Sequence, residues 1–268
     1  MPELPEVETI ASQLRNQYQG KRITRLQAQP VIIFQNVPSA EFARLLTGKL
    51  LEQISRHGKF MIWKAEDIYV VIHLGMSGIF ISEKTRSHYP QHIHISFNFE
   101  DGSLLFFQDV RKFSKIWLYQ SAPVFKWVGE DVMEEKFTLN KFKKLLNLRS
   151  VSIKNMLMDQ RMMAGIGNIY ASEILFDARI HPERRSSSLQ EAETRRLYRS
   201  LRKILQQAIE RFGTTYTAYL TVEGTTGENQ NFLKVYQRTG EKCVRCKNII
   251  EKSILNSRST FFCPVCQK

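Results

Sequence analysis

The sequence predicts an α+β, multidomain protein: a strand-rich first half, a helical second half and a short cysteine-bearing tail. Three observations carry that expectation. From about residue 21 to 120 apolar and polar residues alternate, after Phe137 the apolar residues recur every three or four positions, and all four cysteines fall as two pairs within the last 26 residues. At 268 residues the chain is too long for one small core and suits one large domain or two ordinary ones. Its hydrophobic content of 43% gives ample apolar surface to bury, which argues against disorder.

The N-terminal segment PEVETIASQLRNQYQG places Val7, Ile10, Leu14 and Tyr18 on one face of a helix, with Gly20 positioned to end it. Pro5 is tolerated in the first turn, and Glu6 and Glu8 favour the positive end of the helix dipole. The following hundred or so residues read as strands. In HIHISFNF, Ile93, Ile95, Phe97 and Phe99 alternate with polar residues, and Glu100, Asp101 and Gly102 make a hairpin turn into SLLFFQDV. Several strands joined by tight turns imply an antiparallel sandwich or barrel. SAPVFKWVGEDVMEE is a connector. LNKFKKLLNL, SIKNMLMDQ, NIYASEILFDA and LQEAETRRLYRSLRKILQQAIERF then have helical spacing, punctuated by Gly165, Gly167, Pro182 and Gly213.

Lys and Arg outnumber Asp and Glu by 39 to 26, so a polyanionic partner is expected, with nucleic acid foremost. Residues 181–268 hold 16 basic and 8 acidic side chains, so the C-terminal third carries more than its share of the excess. No apolar run approaches the roughly 18–20 residues that cross a bilayer. The N-terminus also lacks a basic segment followed by an apolar one, so no membrane partner and a cytosolic location are expected.

The tail reads Cys243-Val-Arg-Cys246, 16 intervening residues, then Cys263-Pro-Val-Cys266. Two such pairs form a closed tetrahedral thiolate cage, so one structural zinc is expected. Between the pairs, SILNSRSTFF reads as two strands joined at Asn256 to Arg258, which puts Arg258 at a hairpin tip suited to gripping a phosphate. In MAGIGNIYASE, Gly165 and Gly167 permit a sharp turn and Asn168 is expected at the N-cap of the next helix, where free N–H groups favour a phosphate oxygen. HLGMSG and QDVRKFS follow strands, so Met76, Arg111 and Phe113 are expected at loop tips, able to wedge into a base stack and replace an extruded nucleotide. HGKF adds Lys59 at a strand start as a phosphate contact.

The opening MPELPEVETI has a chemical reading of its own. Met1 precedes a small residue and is expected to be trimmed, which leaves Pro2 with a terminal secondary amine. Such an amine, with a pKa of about 7.7–8, keeps a usable neutral fraction at pH 7. It can attack a sugar C1′ and form an iminium without any activated lysine. Glu3 is placed to supply or remove the proton, and Glu6 lies about one turn further on.

PELPEVET, HGKF, HLGMSG, DVRKF, GIGNIYASE and SRSTFFCPVCQ, in this order along the whole chain, resemble the bacterial formamidopyrimidine-DNA glycosylase family. The start favours that family over its endonuclease VIII-type relative, which acts on oxidised pyrimidines and typically has Gly where this chain has Leu4. The resemblance implies a bifunctional DNA glycosylase and AP lyase for base-excision repair. Such an enzyme excises oxidised purines, such as 8-oxoguanine and formamidopyrimidines, from duplex DNA through a Schiff base, then nicks the abasic site by β,δ-elimination. By that resemblance Pro2 is the nucleophile, Glu3 the acid/base, and Glu6 and Lys59 complete the catalytic set. His92, Arg111, Asn168 and Arg258 contact DNA, Met76, Arg111 and Phe113 fill the void, and Cys243, Cys246, Cys263 and Cys266 hold zinc.

The implied fold is an N-terminal β-sandwich with its helix, a helix-two-turns-helix domain and a zinc-finger hairpin, flanking a DNA-binding cleft in a monomer. The expected boundaries are 1–130 for the catalytic domain, 131–137 for a linker, 138–238 for the helical DNA-binding domain and 239–268 for the zinc finger. Ser114, Ser257 and Lys247 stand where the family has Gly, and Asn256 and Asn248 are expected to take up the left-handed conformations. Thr217 and Thr225 stand where Arg and Glu are expected in a base-covering loop, which bears on lesion preference. The competing class is a non-catalytic zinc-dependent DNA-binding protein, and Pro2 with Glu3 is the feature such a binder would not need.

Overall fold

A computed structural model of the chain describes residues 1–268 apart from Arg86, His88, Thr217 and Ala218. The expectation at Thr217 therefore lies outside the described residues. Residues divide by contact into two units, Met1–Val124 with Arg211–Gln230, and Phe125–Glu210 with Asn231–Lys268.

In the first unit, α1 (Leu4–Tyr18) buries Val7, Ile10, Ala11, Leu14 and Tyr18, the stripe its spacing dictates. The alternating region folds as two four-stranded antiparallel sheets. One is ordered β1 (Ile23–Ala28), β6 (Ile93–Phe99), β7 (Leu104–Asp109), β5 (Gly78–Ser82). The other runs β2 (Leu51–His57), β3 (Phe60–Ala65), β4 (Ile68–His73), β8 (Lys115–Tyr119). Trp63 of β3 reaches across to Phe80 and Phe97, with ring centroids 5.3 and 5.4 Å away, so the two sheets share one core as a sandwich.

Two local readings change. The period-two expectation for residues 21–120 is interrupted by α2 (Ser39–Leu46), whose buried Phe42 and Leu46 are four apart, as a helix requires. In β6 the register shifts between Ile93 and Ile95, so His94 is buried with Ile95 and the strict alternation begins only after them. The hairpin turn after Phe99 is as expected, with Gly102 at φ +84°.

Segment Arg211–Gln230, expected within the second domain, clusters with the first unit. Its Thr214 N–H donates to Glu6, and Val222 bonds to both Gln13 and Ser82.

The second unit holds α3 (Leu139–Asn147), α4 (Ile153–Met158), α5 (Asn168–Asp177) and α6 (Glu191–Glu210). The connector contains a two-residue strand, β9 (Glu130–Asp131), paired in parallel with β10 (Met163–Ala164), which its polar composition did not signal. The tail is a hairpin of β11 (Glu251–Leu255) and β12 (Arg258–Phe262). Among the described residues no helix is long and apolar enough to cross a membrane.

Candidate active site and zinc centre

The N-terminus of α1 is built by its own carboxylates. Glu3 is the N-cap, Pro5 sits in the first turn, and Glu3 and Glu6 form a reciprocal capping box. Pro2, Glu3 and Glu6 are all buried. Glu6 takes the Glu3 N–H at 2.7 Å on one oxygen and the Thr214 N–H at 2.7 Å on the other. Both oxygens are thus committed to backbone, which suits a structural brace better than a proton shuttle.

The terminal amine lies within electrostatic reach of Glu3, Glu6, Lys59 and Arg111. Burial pushes its pKa below the ordinary value of 8.0. The two carboxylates pull the other way, while Lys59 and Arg111 add to the depression. With Met1 attached this amine belongs to Met1; trimming moves it one residue inward, to Pro2.

Lys59 occupies the β2–β3 turn, where Gly58 has φ +58°, and it is only 5% exposed. Arg56 fastens that turn to α1, donating from Nε to Glu8 at 2.8 Å and from Nη1 to the Gly58 carbonyl at 3.1 Å.

Met76 lies between β4 and β5, and Arg111 and Phe113 lie between β7 and β8. The three side chains touch. The Arg111 guanidinium sits 4.6 Å from the Phe113 ring centroid, and its Nη1 is 3.9 Å from the Met76 Sδ. Arg111 and Phe113 are exposed and Met76 half-buried. Ser114, where glycine is usual, does not take a positive φ; Lys112 does, at φ +55°. The Ser114 hydroxyl instead donates to the Leu74 carbonyl at 3.0 Å. His92 ends a short 3-10 turn (Pro90–His92), half-buried with its ring near Tyr89.

In the segment expected to cover the base, Thr225 is folded back on Thr221, with hydroxyls 2.7 Å apart and the Thr225 N–H on the Thr221 hydroxyl.

In the second unit Gly167, rather than Asn168, is the N-cap of α5, and Asn168 is its first helical residue. Gly167 is extended, the conformation an N-cap needs, and the preceding Gly165 has φ +116°. The Asn168 Oδ1 is buried and, among the described residues, has no hydrogen-bond partner. An orphaned buried acceptor is satisfied by water or a ligand group.

Arg258 is exposed beside the hairpin turn, where Asn256 and Ser257 both take positive φ, 46° and 59°. At the other expected hinge the left-handed residue is Lys247 itself, at φ +66°, and not Asn248. Lys154 of α4, fully buried, donates from Nζ to the Ser259 carbonyl and the Thr260 hydroxyl, each at 2.8 Å, and so holds the strand that begins at Arg258. Glu173 of α5 receives the N–H groups of Lys234, Val235 and Tyr236 at 2.9 Å each, which anchors the segment leading into the tail.

The four cysteine sulfurs lie within 4.8 Å of one another, with Cys246 and Cys263 3.4 Å apart and Cys243 and Cys266 3.9 Å apart. A tetrahedral zinc with Zn–S bonds of about 2.3 Å has sulfur–sulfur edges of about 3.8 Å, so the set fits one ion with no open position. The zinc is structural: Cys243 and Cys263 share a small core with Phe176, Val235, Ile250 and Phe261.

Residues 1–116 match the formamidopyrimidine-DNA glycosylase N-terminal domain, residues 128–219 the formamidopyrimidine-DNA glycosylase H2TH domain, and residues 240–268 the zinc finger found in FPG and IleRS. Formamidopyrimidine-DNA glycosylases of Listeria monocytogenes and Pelotomaculum thermopropionicum are each 37% identical to this chain; the first match covers 100% of both chains and the second 100% of this one and 99% of the other. A Lactococcus lactis FPG variant, solved in complex with a Fapy-dG containing DNA, superposes with a TM-score of 0.90 at 36% identity over 100% of both chains. The FPG (MutM) protein of Thermus thermophilus gives 0.87 at 33%, covering 99% of this chain and 98% of that one. On these matches, the chain belongs to the formamidopyrimidine-DNA glycosylase family.

Proposed function

We propose that the chain is a base-excision repair enzyme that excises oxidised purines from duplex DNA and cleaves the resulting abasic site. The observation that carries this reading is the start of the chain, where Pro2, Glu3 and Glu6 are buried together at the N-terminus of α1, with Glu3 next to the amine that trimming of Met1 would expose. Solved relatives bound to Fapy-dG containing DNA and to abasic-site DNA support the substrate class.

In the proposed reaction the neutral Pro2 amine attacks C1′ of the damaged nucleotide. The C1′–N bond breaks, the base leaves with a proton, and the sugar ring opens as Glu3 delivers a proton to its oxygen. The iminium that remains acidifies C2′. Loss of that proton expels the 3′ phosphate, and a second elimination expels the 5′ phosphate. Lys59 in the first unit, and Asn168 and Arg258 in the second, are assigned to phosphates, with His92 as a further DNA contact. Met76, Arg111 and Phe113 fill the space left by the extruded nucleotide. The zinc keeps the hairpin of Arg258 folded. The bacterial relatives support a cytosolic enzyme acting on the nucleoid.

Borohydride trapping on an 8-oxoguanine duplex tests the reading. A covalent adduct mapping to Pro2, absent from protein that retains Met1, is expected. Normal trapping by the Met1-retaining protein would place the nucleophile elsewhere.

A further inference from the structure

We infer that Asp109 is a positioning residue that locks two loops into a single preformed wedge for the base stack. The inference rests on the glycosylase reading above. Asp109 ends β7 and is fully buried. Its Oδ1 accepts from the Ser77 hydroxyl at 2.5 Å and from the Arg111 N–H at 3.2 Å, and its Oδ2 accepts from the Ser114 N–H at 2.8 Å. Ser77 belongs to the loop that carries Met76, and Arg111 and Ser114 bracket the loop that carries Phe113. One carboxylate therefore binds both loops.

Other contacts reinforce the joint. The Ser77 hydroxyl also accepts from the Arg111 N–H, at 3.2 Å. The Ser114 hydroxyl, which a glycine would lack, closes the far side on the Leu74 carbonyl. The loops meet backbone to backbone: a Cβ on Gly75, whose φ is +62°, would lie 2.5 Å from the Phe113 carbonyl carbon and oxygen. No side chain fits there, so the two loops cannot be spaced apart without breaking these bonds. The His94 Nε2, 3.0 Å from the Asp109 carbonyl, fixes the residue from the adjacent strand.

Insertion of side chains between base pairs works against stacking. Loops that had to order during insertion would lose that ordering free energy from the step itself. Asp109 removes the loss by holding Met76, Arg111 and Phe113 together before DNA arrives.

The test uses the full chain and a duplex carrying 8-oxoguanine with 2-aminopurine as a neighbouring base, so that fluorescence reports unstacking. Asp109→Asn keeps the shape but turns an amide N–H toward donors, and Ser77→Ala removes one loop's link with little risk to folding. Both are expected to slow the fluorescence rise by roughly tenfold or more, the scale of one lost hydrogen bond to a charged group. Affinity for undamaged duplex should stay within about twofold, because neither residue contacts the phosphates that dominate it. In a Met76→Ala/Arg111→Ala/Phe113→Ala background, Asp109→Asn should add less than about twofold, since the wedge it positions is gone.

A wild-type insertion rate in Ser77→Ala, or in an Asp109→Asn protein that melts normally, overturns the inference. So does an Asp109→Asn effect that adds in full on the wedge-free background. If the wild type excises no oxidised purine while the insertion signal still responds to these variants, the glycosylase reading fails and the wedge stands.

Discussion

Glu6 and Thr214 lie 208 positions apart in the sequence and are joined by a 2.7 Å hydrogen bond from the Thr214 N–H to Glu6 Oε1. The other Glu6 oxygen holds the Glu3 N–H. A single buried carboxylate thus fixes the backbone beside the proposed nucleophile and the start of the segment expected to cover the extruded base. Gly213 is part of the same arrangement: its φ is +76°, and a Cβ there would come within 2.9 Å of the Glu6 side chain.

Glu6→Gln can satisfy only one of those two N–H groups through its oxygen, so one charge-assisted bond is lost. Stability should fall by about 1–3 kcal/mol, and the Thr214 amide should exchange with solvent faster by a comparable free energy. Denaturant titration and amide exchange measure the two effects. Wild-type protection of the Thr214 amide in the variant would refute the brace.

Glu3 separates the two chemical steps. Ring opening during base loss requires a proton on the sugar oxygen, whereas an abasic sugar already equilibrates with an open aldehyde that an amine attacks unaided. Glu3→Gln should therefore lower excision by about 10²-fold or more, the scale of general acid catalysis, and affect cleavage of a preformed abasic duplex far less. Rates on both duplexes with one protein preparation decide the matter, and equal losses would mean that Glu3 positions the amine instead.

Much of this site was legible because its chemistry is local in sequence. Pro2 and Glu3 are adjacent, the cysteines come in short pairs, and Met76, Arg111 and Phe113 sit in short loops flanked by strands. What escaped depends on long-range contacts. Asp109 and Ser77 stood inside quoted motifs, yet nothing in the order of letters says that they meet across 32 positions. Thr214 acts through its backbone N–H, which no side-chain pattern can encode. Helix α2 went unread because its buried face holds only two apolar residues, Phe42 and Leu46, too short a period to stand out among strands. The Asn168 cap moved by one residue: Gly167 takes the extended cap conformation and the asparagine lies inside the first turn.

Lys59 should set the pH at which the amine reacts. Its ammonium disfavours a second positive charge nearby: at Met1 it lowers the terminal amine's pKa in the same direction as burial, and the same sign is expected at Pro2, one residue inward. Only the neutral amine attacks, and its fraction grows as pH rises through that pKa. The rising limb of trapping against pH should thus lie below the range of about 7.7–8.0 typical of an α-amino group. Lys59→Met should move it to higher pH, so the variant's deficit is largest in mild acid and shrinks in alkali. A deficit that is constant across pH would assign Lys59 to phosphate binding alone.

His73 gives the first unit a separate pH dependence. Burial, aided by Lys59, Lys115 and the terminal amine, lowers its pKa from 6.5 to about 4, and its Nδ1 accepts the Gly75 N–H at 3.2 Å. The folded state keeps the ring neutral while the unfolded chain protonates it below about pH 6.5. This contribution is intact above that pH and is lost as pH falls toward 4, by at most about 3 kcal/mol. His73→Asn, which preserves an acceptor near the Nδ1 position, should flatten the stability profile between about pH 6.5 and 4 relative to the wild type. Parallel profiles from denaturation at each pH would show that the group does not titrate between the two states.

The zinc hairpin is held from two sides, and the two supports fail differently. The thiolates close the knuckles, while Lys154 grips the strand of Arg258 at Ser259 and Thr260. Cys263→Ser opens the cage at a fully buried ligand in the centre of a small core, and so compact a unit has little else to fold around. The variant should bind zinc weakly and lose much of its affinity for DNA. Lys154→Met leaves all four thiolates in place, so zinc should stay bound. Arg258, the residue assigned to a phosphate, is then less firmly placed, and affinity should fall with a shallower dependence on salt, by about one unit of the log–log slope if that phosphate contact is lost. Metal content by mass spectrometry and DNA titrations at several salt concentrations distinguish the two. Tight zinc with unchanged DNA affinity in Cys263→Ser would contradict the structural role of the metal. An unchanged salt slope in a Lys154→Met protein of lower affinity would mean that the lysine supports the fold of the second unit rather than the placement of Arg258.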